Sequence, residues 1–164
     1  MVNKISISVV PVPYPHDDID RPSAIRIAVE ADGSTTELLN VKWDATPVLE
    51  WLAQNARAIS QDRLPKVFDN NGRSIAERVH IARDLVDPND DATVDAIYDY
   101  CARHCILLAF SGTTVPDIFL GIGPGGGEIS CFEPHARWSY DVDLTSLPDD
   151  VEALALEVEK TFAR

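Results

Sequence analysis

Basic residues and long apolar runs are both scarce in this chain of 164 residues. Lys and Arg together number 14 against 27 Asp and Glu, which gives a formal net charge of -13. A strongly negative protein repels nucleic acid and attracts basic partners. No apolar run approaches the ~20 residues that a membrane-spanning helix requires. Both scarcities argue against nucleic acid and a membrane as partners.

Cysteine is also scarce. The three cysteines, Cys101, Cys105 and Cys131, are an odd number, and their spacing matches no disulfide framework of secreted proteins. Residues 5 to 9 alternate apolar and polar side chains, whereas a secretory signal has a continuous apolar region. We therefore expect a cytoplasmic protein.

The hydrophobic fraction of 45% is enough for one sizeable core, and 25% charged residues is ordinary for a folded protein. The acid is unevenly distributed along the chain. Residues 84–164 hold 4 basic and 16 acidic residues, whereas residues 41–83 hold 7 basic and 5 acidic ones. We expect one domain, residues 1–164, with a negative field at one end.

The first third of the chain has the pattern of antiparallel strands. Residues 4–12 alternate until Pro11, Pro13 and Pro15 end the strand, and residues 24–29 alternate again. Asp-Gly at 32–33 predicts a hairpin. The proline segment favours a connector, with a polyproline ligand in an adaptor protein as the alternative.

Four helices are predicted. Thr46 caps the first, which runs to about Ser60; Ser74 caps the second; the third begins near Asp91; and Ser146 caps the last. The predicted buried side of the third helix consists of Val94, Ile97, Tyr98, Cys101 and Cys105.

Short apolar runs between these helices predict further strands at 106–110, 118–122, 128–132 and 137–144. The predicted fold class is α+β, with antiparallel sheet segments packed by about four helices in a single domain.

The segment 121–126 matches the G-x-G-x-x-G fingerprint of dinucleotide-binding proteins. That fingerprint requires a helix N-terminus after the glycines, but residues 128–132 have the pattern of a strand. We interpret the segment as a hairpin tip.

The chain also contains residue types that are typical of metal and catalytic sites. Cys101, His104 and Cys105, with Cys131 and His135, contain zinc-ligand residue types but lack the spacing of a finger or ribbon. Ser111 lacks the G-x-S-x-G context of an exposed nucleophile, and residues 87–91 lack the calcium-loop pattern. We expect no metal, no cofactor, no catalytic residue and no enzyme activity.

Acidic side chains are the candidate site. Asp91, Asp95 and Asp99 recur at every fourth position of the third helix, where like charges repel. A basic partner would relieve that repulsion. The predicted partner-binding residues are Asp87, Asp90, Asp91, Asp95 and Asp99 around the third helix and Asp149, Asp150 and Glu152 at the last helix. Trp138 and Tyr140 are either core residues or an aromatic anchor beside acid.

In size, acidity and α+β architecture, the chain resembles the immunity proteins of bacterial contact-dependent inhibition and related polymorphic toxin systems. The resemblance is one of type and carries no family residue onto this sequence. It implies a protein that neutralises a cognate, basic, nuclease-like toxin domain by covering its active site with acidic side chains.

The alternative function is that of a small-molecule enzyme or ligand-binding domain. Its glycine-rich hairpin, residues 121–127, would act as a lid over a pocket that contains Cys131 and His135.

Overall fold

The first three strands form an antiparallel meander. The computed structural model describes residues 2–13 and 18–164, so Pro15 and Asp17 lie outside the described residues. The strands are β1 (Asn3–Pro11), β2 (Pro22–Ala31) and β3 (Ser34–Asp44). The predicted hairpin between β2 and β3 is confirmed: Asp32 and Gly33 have φ of 49° and 79°, the positive values that a tight hairpin turn requires.

A second meander follows later in the chain and continues the same sheet. It consists of β4 (Ile118–Gly123), β5 (Gly126–Glu133) and β6 (Ala136–Asp143). The strand order is β3-β2-β1-β6-β5-β4, and every neighbouring pair is antiparallel except β1 and β6. The predicted sheet segments are therefore one six-stranded sheet, and the α+β class is confirmed.

Two helices cover one face of this sheet, which we call the near face. They are α1 (Ala45–Gln61), which follows β3, and α4 (Leu147–Phe162), which follows β6. The main core lies beneath them and takes Ile27 from β2, Leu52 from α1 and Ile129 from β5. The cap of α1 is Asp44 and not Thr46, because Asp44 Oδ1 accepts the Thr46 N–H at 2.9 Å.

The other two helices pack on the opposite face, which we call the far face, and cover only β4 and β5. They are α2 (Ile75–Leu85) and α3 (Asp91–His104), and a second core lies beneath them. Ser74 caps α2 as predicted, with its hydroxyl accepting the Glu77 N–H at 3.1 Å. The far side of β1, β2 and β3 carries small or polar side chains such as Ser6, Ser8 and Arg26.

Two sequence predictions in this region are wrong. Residues 106–110 do not form a strand: Ile106–Ala109 is a 3₁₀ helix, and a single bridge joins Cys105 to Phe119. Tyr98 is 71% exposed, whereas Tyr100 is buried at 1%. Helical spacing allows either tyrosine to face inward, and packing against Phe68 selects Tyr100.

Membrane insertion has no candidate element in the described part of the chain, where no helix is both long enough and apolar enough to cross a bilayer.

Candidate functional site

The predicted acidic residues of the third helix are all exposed, and two of them have local structural roles. Asp90 caps α3, and its two carboxylate oxygens accept the Thr93 N–H at 3.2 Å and the Thr93 hydroxyl at 2.6 Å. These hydrogen bonds lower the pKa of Asp90. Asp87 Oδ1 accepts the Asn89 N–H at 2.9 Å in the preceding turn. Local structure therefore accounts for Asp87 and Asp90.

The remaining three, Asp91, Asp95 and Asp99, form a row that we call the α3 acidic face. Their spacing puts them on one side of the helix. None of the ion pairs among the described residues includes them. Arg103, four residues after Asp99, directs its guanidinium to Asp62 at 2.7 Å. Arg103 Nε also donates to the Asp99 carbonyl at 3.2 Å, but no ion pair joins Arg103 to the Asp99 carboxylate.

An aromatic side chain borders the α3 acidic face. Tyr98 follows Asp95 by three residues and Asp91 by seven, so the three share one side of α3. A 71% exposed tyrosine beside carboxylates combines an apolar ring with a hydroxyl in an acidic setting. Tyrosine is among the residues that contribute most to protein–protein binding. The sequence analysis did not predict this exposure, because it placed Tyr98 on the buried side of the helix.

The second predicted acidic group lies at the start of α4. Asp149 and Asp150 are in its first turn, where negative charge interacts favourably with the helix dipole. Asp150 Oδ2 also accepts the Ser146 hydroxyl at 2.8 Å. Glu152 is exposed one turn further along. Helix stabilisation therefore explains part of this group.

Helix α1 lies between the two acidic groups. On one flank Trp51 Nε1 donates a hydrogen bond to the Ala102 carbonyl of α3 at 3.1 Å. On the other flank Ala45 and Leu49 pack against Val158 of α4. The two groups are therefore two separate surfaces and not one.

Trp138 and Tyr140 lie on the near side of β6, half-buried against the main core. Their ring centroids are 5.9 Å apart. Since their rings pack inward, these residues serve the core, and the exposed aromatic residue beside acid is Tyr98.

The cysteines and histidines do not assemble a metal site among the described residues. Cys101 and Cys105 are buried in the second core, whereas Cys131 is buried in the main core. Burial raises the pKa of Cys105 to about 12 and that of Cys131 to about 11, so both are protonated thiols near neutral pH. His135 is exposed in the β5–β6 turn.

A polar cluster that sequence reasoning missed lies beneath α2 and α3. Buried His104 stacks on Tyr100 with ring centroids 4.0 Å apart. Burial lowers the pKa of His104, so its ring is neutral and Nδ1–H donates to the Leu120 carbonyl at 2.8 Å. Glu128 Oε1 accepts the Ile75 N–H at the start of α2 at 2.7 Å. These buried hydrogen bonds join α3 to β4 and α2 to β5, so the cluster stabilises the packing of both helices on the sheet.

Gly121 allows the close approach of α3 to β4. A Cβ at this position would lie 2.8 Å from the Tyr100 hydroxyl and 3.0 Å from His104 Nδ1. The apparent nucleotide fingerprint therefore includes a packing glycine. Its remainder turns between β4 and β5, as predicted for a hairpin tip.

The hairpin does not close over His135. The turn between β4 and β5 precedes β5, and His135 follows it, so the strand separates them by about 25 Å. The sequence-based alternative of a lid over Cys131 and His135 is therefore wrong in its geometry.

Comparison of the chain with models of known protein families, with curated proteins and with solved structures found no match.

Proposed function

We propose that this protein is an immunity-type inhibitor that binds a basic toxin domain through the α3 acidic face. The observation that carries the proposal is a row of exposed carboxylates, Asp91, Asp95 and Asp99, that form no ion pair among the described residues and lie beside exposed Tyr98. The inhibitor acts by covering the partner's active site, without chemistry of its own, in the cytoplasm where the toxin would act.

Two of these three charges do not stabilise the folded protein. Asp91 lies in the first turn of α3 and interacts favourably with the helix dipole. Asp95 and Asp99 lie beyond that turn, and like charges four residues apart cost a few tenths of a kcal/mol. A basic partner surface would turn this repulsion into attraction.

Electrostatics also suits the kinetics that an antidote requires. A negative patch facing a basic cleft raises association rate constants toward ~10⁸ M⁻¹s⁻¹ at low salt. The net charge of -13 extends that attraction beyond the contact surface. Tyr98 would supply the desolvated contact that slows dissociation.

The test compares capture by the wild-type protein and by Asp91→Asn/Asp95→Asn/Asp99→Asn. Asp32→Asn/Glu50→Gln/Glu159→Gln is the matched control, since it removes the same charge from exposed positions elsewhere. Bacterial lysate is passed over each immobilised protein at low salt and eluted with a salt gradient. Captured basic domains are then expressed with and without the inhibitor.

We expect one basic toxin domain to elute earlier from the α3 variant than from the other two proteins, and its toxicity to be suppressed by the wild-type protein. Equal retention on all three proteins would show that α3 is not the docking surface. A captured partner whose toxicity is not suppressed would contradict the inhibitor function.

A second candidate function, binding of a small anion, is supported by a cavity of about 410 Å³ beside the hairpin tip. Its lining includes three basic residues, Arg63, Lys66 and Arg78, against one acidic residue, Asp69, among the described residues. Titration with inorganic phosphate, followed by amide chemical shifts, tests this function. Shifts confined to the cavity that disappear in Arg78→Gln would support it, and unchanged spectra would contradict it.

A further inference from the structure

The two halves of the sheet overlap only slightly where they join. The parallel pairing of β1 with β6 includes just Asn3 with Val142 and Lys4 with Asp143. Strand β6 ends at Asp143, while β1 continues from Ile5 to Pro11. Beyond Lys4, β1 therefore has no neighbouring strand on this side among the described residues.

Helix α4 runs beside this part of β1 without pairing with it. Val9 of β1 and Leu154 of α4 both pack against a cluster that includes Val158 in the later turns of α4. Nearer the start of α4, strand and helix leave a groove of about 270 Å³. The groove is therefore closed at one end by packing and bounded at the other by the end of β6.

The lining shows that the groove reaches the edge of the strand. It includes the consecutive residues Lys4, Ile5, Ser6 and Ile7. Successive side chains of a strand point to opposite faces of the sheet. Consecutive residues can therefore line the same cavity only if that cavity lies along the edge of the strand. An unpaired edge presents backbone N–H and C=O groups to any extended segment placed against it.

The charged side chains that line the groove indicate what kind of extended segment it would bind. Among the described residues, its acidic lining residues are Glu30, Asp143, Asp150 and Glu157, and its basic lining residue is Lys4. Two hydrogen bonds from Thr145 lower the pKa of Asp143, which keeps this carboxylate ionised. The apolar part of the lining includes Ile5, Ile7 and Leu154.

We propose that this groove binds an extended basic segment of the partner protein, which pairs as an added strand with the edge of β1. The proposal rests on the proposed function in that the segment belongs to the basic toxin domain. Main-chain hydrogen bonds to β1 would supply affinity, and lysine or arginine side chains would meet the four carboxylates. The segment would continue the line of β6 past Asp143.

The experiment uses the whole protein and a synthetic heptapeptide of alternating lysine and valine, acetylated and amidated. A second peptide with the same sequence is N-methylated along its backbone, which keeps the charge and removes strand pairing. Binding is measured by calorimetry and by amide chemical shifts at low salt. We expect shifts at Ser6 and Ile7 and at least ~10-fold weaker binding of the methylated peptide.

Two double variants distinguish binding in the groove from general attraction of a basic peptide to an acidic protein. Glu30→Gln/Glu157→Gln removes two groove charges, and Asp32→Asn/Glu159→Gln removes two exposed charges next to them that do not line the groove. We expect ~5-fold weaker binding for the first variant and unchanged binding for the second.

Equal affinity for both peptides, or equal weakening by both variants, would overturn the proposal because either would show nonspecific attraction. Absence of peptide binding would also overturn it. The capture experiment on the α3 acidic face tests the inhibitor function separately, so loss of the groove would leave that result standing.

Discussion

The two halves of the sheet share one architecture and differ in what covers them. Each is a three-stranded antiparallel meander followed by a helix on the near face, β1–β3 with α1 and β4–β6 with α4. On the far face, α2 and α3 bury Phe119 and Ser130 in the second half. In the first half the far side of β1 carries Ser8 and exposed Val10.

The difference shows what the segment between the halves does. Residues 62–117 supply α2 and α3, and their apolar sides require a surface to cover. That surface is the far side of β4 and β5, where Glu128 and Ser130 accept backbone N–H groups from the start of α2. The outward side of α3 is left to carry the acidic face. The proposed binding surface is thus the outward side of a helix whose inward side covers the sheet.

The largest expected contrast is between Phe119→Ala and Val10→Ala, two truncations on the far face. Phe119 is 2% exposed, so its truncation leaves a cavity that costs about 3 to 5 kcal/mol in free energy of unfolding. Val10 is 56% exposed, and we expect a change within about 0.5 kcal/mol. Urea denaturation measures both. Similar losses would show that the far face of the first half is covered in solution.

A smaller contrast is expected between two far-face glutamates. Glu128→Ala leaves the buried Ile75 N–H without its acceptor, so we expect a loss of about 1 to 3 kcal/mol. Glu37 pairs with Arg26 at 2.6 Å, but both side chains are more than two-fifths exposed, and Glu37→Ala should cost at most about 1 kcal/mol. The same denaturation curves test this ranking. A greater loss for Glu37→Ala would contradict it.

The smallest contrast concerns pH and two histidines. Because burial lowers the pKa of His104, the folded protein resists a proton that the unfolded chain accepts below its ordinary pKa of about 6.5. Stability contributed by neutral His104 is complete above that pH and falls below it, by at most about 1.4 kcal/mol per pH unit. His104→Phe should reduce the fall in unfolding free energy between pH 7 and about 5.5.

His135→Gln removes an exposed histidine of the β5–β6 turn and is the control, and we expect His104→Phe to show the smaller fall of the two variants. If His104→Phe kept the full acid sensitivity of the wild-type protein, the titrating group would lie elsewhere.

Local signals in the sequence predicted most elements correctly. Alternating residues and Asp32-Gly33 predicted the first hairpin, and Ser74 with Glu77 predicted the start of α2. The same kind of signal failed at residues 106–110, where an apolar run forms a 3₁₀ helix. A short apolar run indicates that the segment is buried, but it does not distinguish a buried strand from a short buried helix.

The candidate site was predicted in part. The exposure of Asp91, Asp95 and Asp99 follows from helical spacing, but their lack of partners depends on Arg103 reaching Asp62, which lies 41 residues earlier in the chain. The exposure of Tyr98 could not be predicted from the sequence, because helical spacing allows either Tyr98 or Tyr100 to face inward. The groove beside β1 was not predicted, because it depends on where β6 ends relative to β1.

The acidity of this protein, the Asp32-Gly33 turn, the Ser74 cap of α2 and the α+β class followed from the sequence alone, because each depends on composition or on residues within a few positions of one another. Three features required the folded chain: α1 separates the two acidic groups, His135 lies far from the hairpin tip, and β1 beyond Lys4 has no neighbouring strand beside α4 among the described residues. These outcomes depend on contacts between distant parts of the chain, whose free energies come from packing and burial and leave no local pattern.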